Sequence, residues 1–168
     1  MGGDNRLKVS AIDISEQLNY KIYNDLEAVV NLGYNTSTAT RDSQMKSIDW
    51  YNYTGTKVVL TSPTQSNSSY ENSFARTDYY MASGYLNWTH SLANVHNFGV
   101  MLGSQYNLTQ YKYTDLTIKD INPNLEVPNG AGTQTVLGNK WHEAMMSYFG
   151  RINYDYKGKY LFTGNARY

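Results

Sequence analysis

Residues 147–168 read SYFGRINYDYKGKYLFTGNARY, and the even positions carry Tyr148, Gly150, Ile152, Tyr154, Tyr156, Tyr160 and Phe162. The odd positions between them carry Ser147, Arg151, Asn153, Asp155 and Asn165. Successive side chains of a strand point to opposite faces. This stretch is therefore read as two strands with one greasy and one polar face, joined at Lys157-Gly158-Lys159.

The same period of two runs through most of the chain, and the helical period is almost absent. Phe98, Val100, Leu102, Tyr106 and Leu108 alternate with Asn97, Gly99, Met101, Gly103, Gln105, Asn107 and Thr109. Ile12, Ile14, Leu18, Tyr20 and Ile22 alternate with Asp13, Ser15, Gln17, Asn19 and Lys21, with Glu16 as a blemish on the apolar side. Leu26 to Tyr34 and Tyr80 to Trp88 repeat the split. The composition agrees: 17 Tyr, 3 Pro and 14% aromatic residues exclude a disordered chain and favour strands.

Short turns at Tyr23-Asn24-Asp25, Ser91–Val95 and Lys157–Lys159 alternate with long connections over about 42–72 and 114–143. The long ones hold SPTQSNSSYENS and NPNLEVPNGAGTQ, whose Pro, Gly, Asn and Ser mark loops. The expected fold is all-β, with about six antiparallel up-and-down strands of roughly twelve to sixteen residues. The hairpins are expected at about 7–41, 73–113 and 144–168. Alternating segments, short turns at one end, long loops at the other and aromatic girdles fit part of a transmembrane β-barrel wall. A small soluble β-sheet binding or adhesion module also alternates in this way, and stays open as the other reading.

The residues exclude several classes. Lys+Arg and Asp+Glu number 14 each, so no basic excess points to nucleic acid. There is no cysteine, hence neither a disulfide framework nor a thiolate metal site. MGGDNR has no apolar stretch, so no signal peptide is expected there. His90 and His96 flank one turn, but two ligands without a third make a weak metal signal, and His142 stands apart. Asp13, Asp78, Asp155 and Glu27 are read onto polar faces as hydrated charges, with no acid/base spacing. GAGTQTVLG lacks a phosphate-loop lysine. No catalytic set, cofactor site or metal site is expected, and the chain is not read as an enzyme. The candidates for substrate or partner contact are Trp50, Tyr51 and Tyr53, which open the first long loop, and Trp141, which closes the second.

The terminal segment resembles a recurring stretch of the SusC/RagA-type TonB-dependent outer-membrane transporters. The resemblance rests on Ser147, Tyr148, Phe149, Gly150, Arg151, Ile152, Asn153, Tyr154, Tyr156, Lys157, Lys159, Tyr160, Leu161, Phe162, Thr163 and Arg167. The hairpins EQLNYKIYNDLEAVVNLGYN and SLANVHNFGVMLGSQYN are similar to the family in layout only. The resemblance implies a slice of a 22-stranded barrel with a plugged lumen, the plug domain lying outside residues 1–168. It implies the outer membrane of a Gram-negative, Bacteroidetes-like cell, and uptake of oligosaccharides or peptides. The implied partners are membrane lipid, a SusD-like lipoprotein and TonB. The family pattern continues past Arg167, so the chain is expected to be a fragment with unpaired edges that aggregates in water.

Overall fold

The computed structural model describes residues 2–47, 49–58, 68–122, 124–125, 127–128 and 132–168. The strands are β1 (Gly2–Tyr23), β2 (Leu26–Lys46), β3 (Trp50–Tyr51), β4 (Lys57–Val58), β5 (Ser69–Leu92), β6 (His96–Lys119), β7 (Gln134–Tyr156) and β8 (Tyr160–Arg167). Six of them form one antiparallel sheet in the order β1-β2-β5-β6-β7-β8, and β3 pairs with β4 in a separate ribbon. Neighbours in sequence are neighbours in the sheet, as up-and-down connection requires.

The strands outrun their expected lengths. Those from β1 to β7 in the large sheet have 22, 21, 24, 24 and 23 residues. The ladders continue through Thr36-Ser37-Thr38-Ala39-Thr40 on β2 and through Gln134–Glu143 on β7. Those stretches carry no apolar alternation, so their strand character is invisible to a period-two reading. Threonine nonetheless suits a pleated backbone.

The turns keep the two faces in phase. Ala93 and Asn94 both have φ of 53°, and Val95 N–H donates to Leu92 C=O at 3.1 Å. Lys157 and Gly158 have φ of 53° and 66°, and Lys159 N–H donates to Tyr156 C=O at 3.0 Å. Beyond the second turn the ladder resumes with Tyr156 opposite Tyr160 and Tyr154 opposite Phe162. An odd number of turn residues thus leaves even positions facing even positions. Ala93 has a Cβ in a left-handed conformation that costs roughly 1–2 kcal/mol. Ala93→Gly is expected to stabilise the fold by about 0.5–1 kcal/mol after the unfolded-state entropy of glycine is set against that strain. The urea midpoint in detergent micelles reads this directly.

The chain divides into two compact units. Unit 2 comprises Ile12–Thr36, Asp78–Gln110 and His142–Tyr168 and holds the three short turns of the large sheet. Its even face is apolar and bare: Ile14, Leu32, Leu86, Leu102, Tyr148 and Ile152 are all exposed. Its odd face is tied by polar side chains, described below.

Unit 1 comprises Met1–Ala11, Ser37–Thr77 and Tyr111–Trp141 and holds both long connections. Here Tyr70, Ile118 and Ile121 form a small buried cluster with Leu116 against it. The connection after β6 folds onto this cluster. Ile121 N–H donates to Ser68 C=O at 3.4 Å, and Gln44 Nε2 donates to Leu125 C=O at 3.2 Å. Apart from these residues, Val29 is the one other buried hydrophobic side chain among the described residues. A sandwich would bury the even face under a second sheet. No described residue covers the even face of unit 2 in this way.

Candidate functional site

Polar residues at odd positions of unit 2 reach across the strands. Asn35 Nδ2 donates to Asp13, and Asn31 Nδ2 donates to Ser83 Oγ at 3.1 Å. Tyr79 donates its hydroxyl to Asn107 Oδ1 at 3.1 Å, and Asn97 Nδ2 donates to Asp155 Oδ2 at 3.0 Å. Arg151 Nε donates to Asn165 Oδ1 at 2.8 Å, and Thr163 Oγ1 donates to Asn153 Oδ1 at 3.1 Å. Arg167 Nη2 reaches both Ser147 Oγ at 3.0 Å and Gln105 Oε1 at 3.3 Å. Cross-strand pairs of this kind each contribute a fraction of a kcal/mol and fix register. They also leave amide and guanidinium groups on a wettable surface. Asp13 and Asp155 take their expected places in this network.

Asp78 does not. It lies on the even side, where Tyr34 donates its hydroxyl to Asp78 Oδ1 at 2.9 Å and sets its ring tilted by 32° against Tyr80, with centroids 4.9 Å apart. Its parity with Tyr80 was legible; the strand simply turns polar at that point before the apolar run begins.

Aromatic rings on the odd face were missed by sequence reasoning. Tyr85 meets Phe149 edge-on at 6.3 Å. Gly103 lies beneath the pair: a Cβ there would come within 2.5 Å of Tyr85 Cβ and 2.7 Å of both Gly84 C=O and Phe149 Cζ. A glycine at an odd position between strands that carry rings at odd positions is the signal in the sequence. At the turn end, the even face carries a band of rings. Trp88 stacks on His90, His96 stacks on Tyr154, and Tyr156 stacks on Tyr160.

The histidines do not meet as metal ligands. His90 Nδ1 lies 2.8 Å from Asp25 Oδ2, and His96 Nδ1 lies 2.7 Å from the Tyr154 hydroxyl. Among the described residues no cluster of three metal-binding side chains exists.

The four loop candidates separate. Trp50 and Tyr51 form β3, opposite Val58 and Lys57. Being adjacent on a strand, they point to opposite faces and make no common platform. Tyr53 is 100% exposed at the turn. Asn52 organises that turn, its Oδ1 accepting from Thr54 N–H at 3.0 Å and Thr56 N–H at 2.8 Å. Lys57 Nζ lies 2.7 Å from Asp49 Oδ1, and that carboxylate raises the lysine pKa. Trp141 is no loop residue. It lies within β7, stacked on Tyr111 of β6 at 5.5 Å and 26°. Much of the remaining expected loop, 59–67 and 129–131, lies outside the described residues.

Within unit 1, Asp42 accepts from the Tyr70 hydroxyl at 2.8 Å and from Asn72 Nδ2 at 2.5 Å. These donors hold the Asp42 carboxyl below its ordinary range, and burial followed by the facing carboxylate pushes the Tyr70 phenol up. A depressed carboxyl stabilises the fold above its unfolded pKa of about 3.9 and loses that contribution as pH falls through the folded value. Asp42→Ala removes the carboxylate that accepts from the buried Tyr70 hydroxyl and is expected to cost about 1–3 kcal/mol. Asp42→Asn is expected to flatten the acid limb below about pH 4. Hydrogen exchange at the amides around Tyr70 and Ile118, followed against pH, checks both.

Comparison with known proteins adds the fold. The RagAB peptide importer in its closed-closed state matches with a TM-score of 0.79 at 12% identity. The RagAB peptide transporter matches at 0.82 and 11%, and the open-open state of the importer at 0.81 and 12%. Each alignment covers 98% of this chain and 18% of the other, so the chain spans under a fifth of the length of the structures it matches. No protein-family model and no curated protein matches the sequence. The chain thus has the fold of a section of barrel wall in those transporters.

Proposed function

We propose that this chain is a section of the barrel wall of a SusC/RagA-type importer in the outer membrane. The even face of unit 2 meets lipid, the odd face lines the lumen, and the long connections of unit 1 stand outside the cell. The observation that carries this reading is the bare apolar even face, which a water-soluble domain would cover. A spanning strand needs about 9–11 tilted residues. Strands of 21 to 24 residues therefore project well beyond the hydrocarbon.

The whole importer takes up peptides or oligosaccharides. A SusD-like surface lipoprotein delivers the substrate and TonB supplies the energy. Peptides fit the matched transporters by their names. Trp50, Tyr51 and Tyr53 on the outer ribbon make contact with substrate or lipoprotein, and the Trp141–Tyr111 pair offers a lumenal stacking surface. No step of catalysis falls to the chain.

Fractionation of the source cells with an antibody raised to Ser147–Tyr168 tests the proposal. The antigen is expected in the outer-membrane fraction together with a lipoprotein, and its loss is expected to abolish growth on peptides or on oligosaccharides as sole source. An antigen found in the soluble fraction refutes the membrane reading.

A further inference from the structure

Two arginines stand close together on the odd face of unit 2, where β7 meets β8. Arg151 lies opposite Asn165, and Arg167 lies opposite Phe149. They are therefore diagonal neighbours, with backbones about 7–8 Å apart. Both are exposed. A hollow of about 380 Å³ opens between them, lined also by Met101, Phe149 and Asn165. The Phe149 ring on its wall is braced edge-on by Tyr85.

Both guanidinium groups are held by neutral acceptors. Arg151 donates through Nε to Asn165 Oδ1, and Arg167 donates through Nη2 to Ser147 Oγ and Gln105 Oε1. Among the described residues no carboxylate forms an ion pair with either arginine. The nearest acids on this face lie too far along or across the sheet. Asp155 stands four residues beyond Arg151, about 13 Å along β7. It is itself engaged by Asn97 and by the Gly158 N–H. Glu143 stands four residues beyond Ser147 in the other direction, and Glu27 is three strands away, about 14 Å. The neutral bonds thus fix both side chains while leaving most of their N–H donors to face the hollow's solvent. A planar guanidinium matches the two oxygens of a carboxylate, and bonds between charged partners are about twice as strong as neutral ones.

We propose that Arg151 and Arg167 hold a carboxylate of a peptide. This rests on the reading that the odd face lines the lumen of an importer. It selects peptides, which carry carboxylates at their ends and on their acidic side chains, over neutral oligosaccharides, which carry none.

The test uses the full chain in detergent micelles. It is titrated with N-acetylated trialanine, with the C-terminal amide of that peptide, and with the amide carrying glutamate at its middle position. Affinity is read by ligand-observed NMR, and contact by the arginine Nε–Hε resonances. The two peptides that bear a carboxylate are expected to bind about tenfold more tightly than the neutral amide, and to shift the signals of Arg151 and Arg167. A preference between those two identifies the carboxylate as a chain terminus or a side chain. The double variant Arg151→Gln/Arg167→Gln is expected to lose the discrimination. Arg151→Lys/Arg167→Lys, which keeps both charges and can still reach the neutral acceptors, is expected to lose most of it, while Lys159→Gln at a turn keeps it. Equal binding of all three peptides, or undiminished discrimination in either double variant, overturns the inference. Displacement of the peptides by acetate or inorganic phosphate at equal concentration also overturns it, since the site then belongs to a small anion. Quenching of Trp88 by a brominated detergent, read in the same samples, separates the two failures. With quenching, only the carboxylate inference falls; without it, the barrel-wall reading falls too.

Discussion

Leu102→Arg is expected to lower the stability of the chain in a bilayer by about 2–4 kcal/mol, the cost of a cation at mid-depth on a lipid-facing strand. Leu102 is 63% exposed and sits midway along the apolar part of β6. The two readings of the chain give effects of opposite sign at this position. In water, an arginine at so exposed a site would be neutral or would improve solubility. Asn31→Lys supplies the contrast. Asn31 lies at similar depth on β2 and bonds Ser83 across the odd face. There the ammonium meets a hydrated surface, and the cost is about 1 kcal/mol for the lost hydrogen bond. Urea titration of the folded chain in lipid vesicles, followed by tryptophan fluorescence, measures both. Equal costs at the two positions would remove the distinction between the faces.

Gly103→Val is expected to cost about 3 kcal/mol, at the upper end of overpacking effects. Two of the atoms that a side chain would strike, Tyr85 Cβ and Gly84 C=O, are parts of a hydrogen-bonded neighbouring strand with no freedom to rotate away. Phe149→Ala therefore does not rescue the variant. Gly99 is the control, on the same strand and face. A Cβ there would touch Asn153 Cβ at 3.5 Å and Asn153 Nδ2 at 3.6 Å, ordinary packing distances. Gly99→Ala is expected to be neutral, or to stabilise by about 0.5 kcal/mol through the unfolded chain. Near-UV circular dichroism of the Tyr85–Phe149 pair reports whether the Gly103 variant retains the local packing.

The faces of the sheet were legible because alternation is a local property. Phe98 to Tyr106 and Ser147 to Phe162 declare it one residue at a time. The ends of the strands were not legible. Over Thr36–Thr40 of β2 the residues are threonine, serine and alanine on both faces, and only pairing with β1 and β5 makes them strand. Trp141 was read as a loop residue for the same reason. Contacts that depend on register were also out of reach. The connection between β2 and β5 is long, so nothing local says that Tyr34 meets Tyr80 or that Asn31 meets Ser83. The crowding at Gly103 and the reach of Arg167 across β7 to Gln105 likewise exist only once three strands are laid side by side.

The turns that return Tyr160 opposite Tyr156 restrict how such a chain can change its length. Residues directly opposite one another on antiparallel strands share a face whatever the loop between them. Losing one residue from Lys157-Gly158-Lys159 would still let a two-residue hairpin close Tyr160 onto Tyr156. Losing two would leave a single residue, too short to close that pair, and the ladder would have to open or slip. The short turns therefore have almost no length to give. The two long connections have length to spare, and can grow or shrink residue by residue without moving a strand.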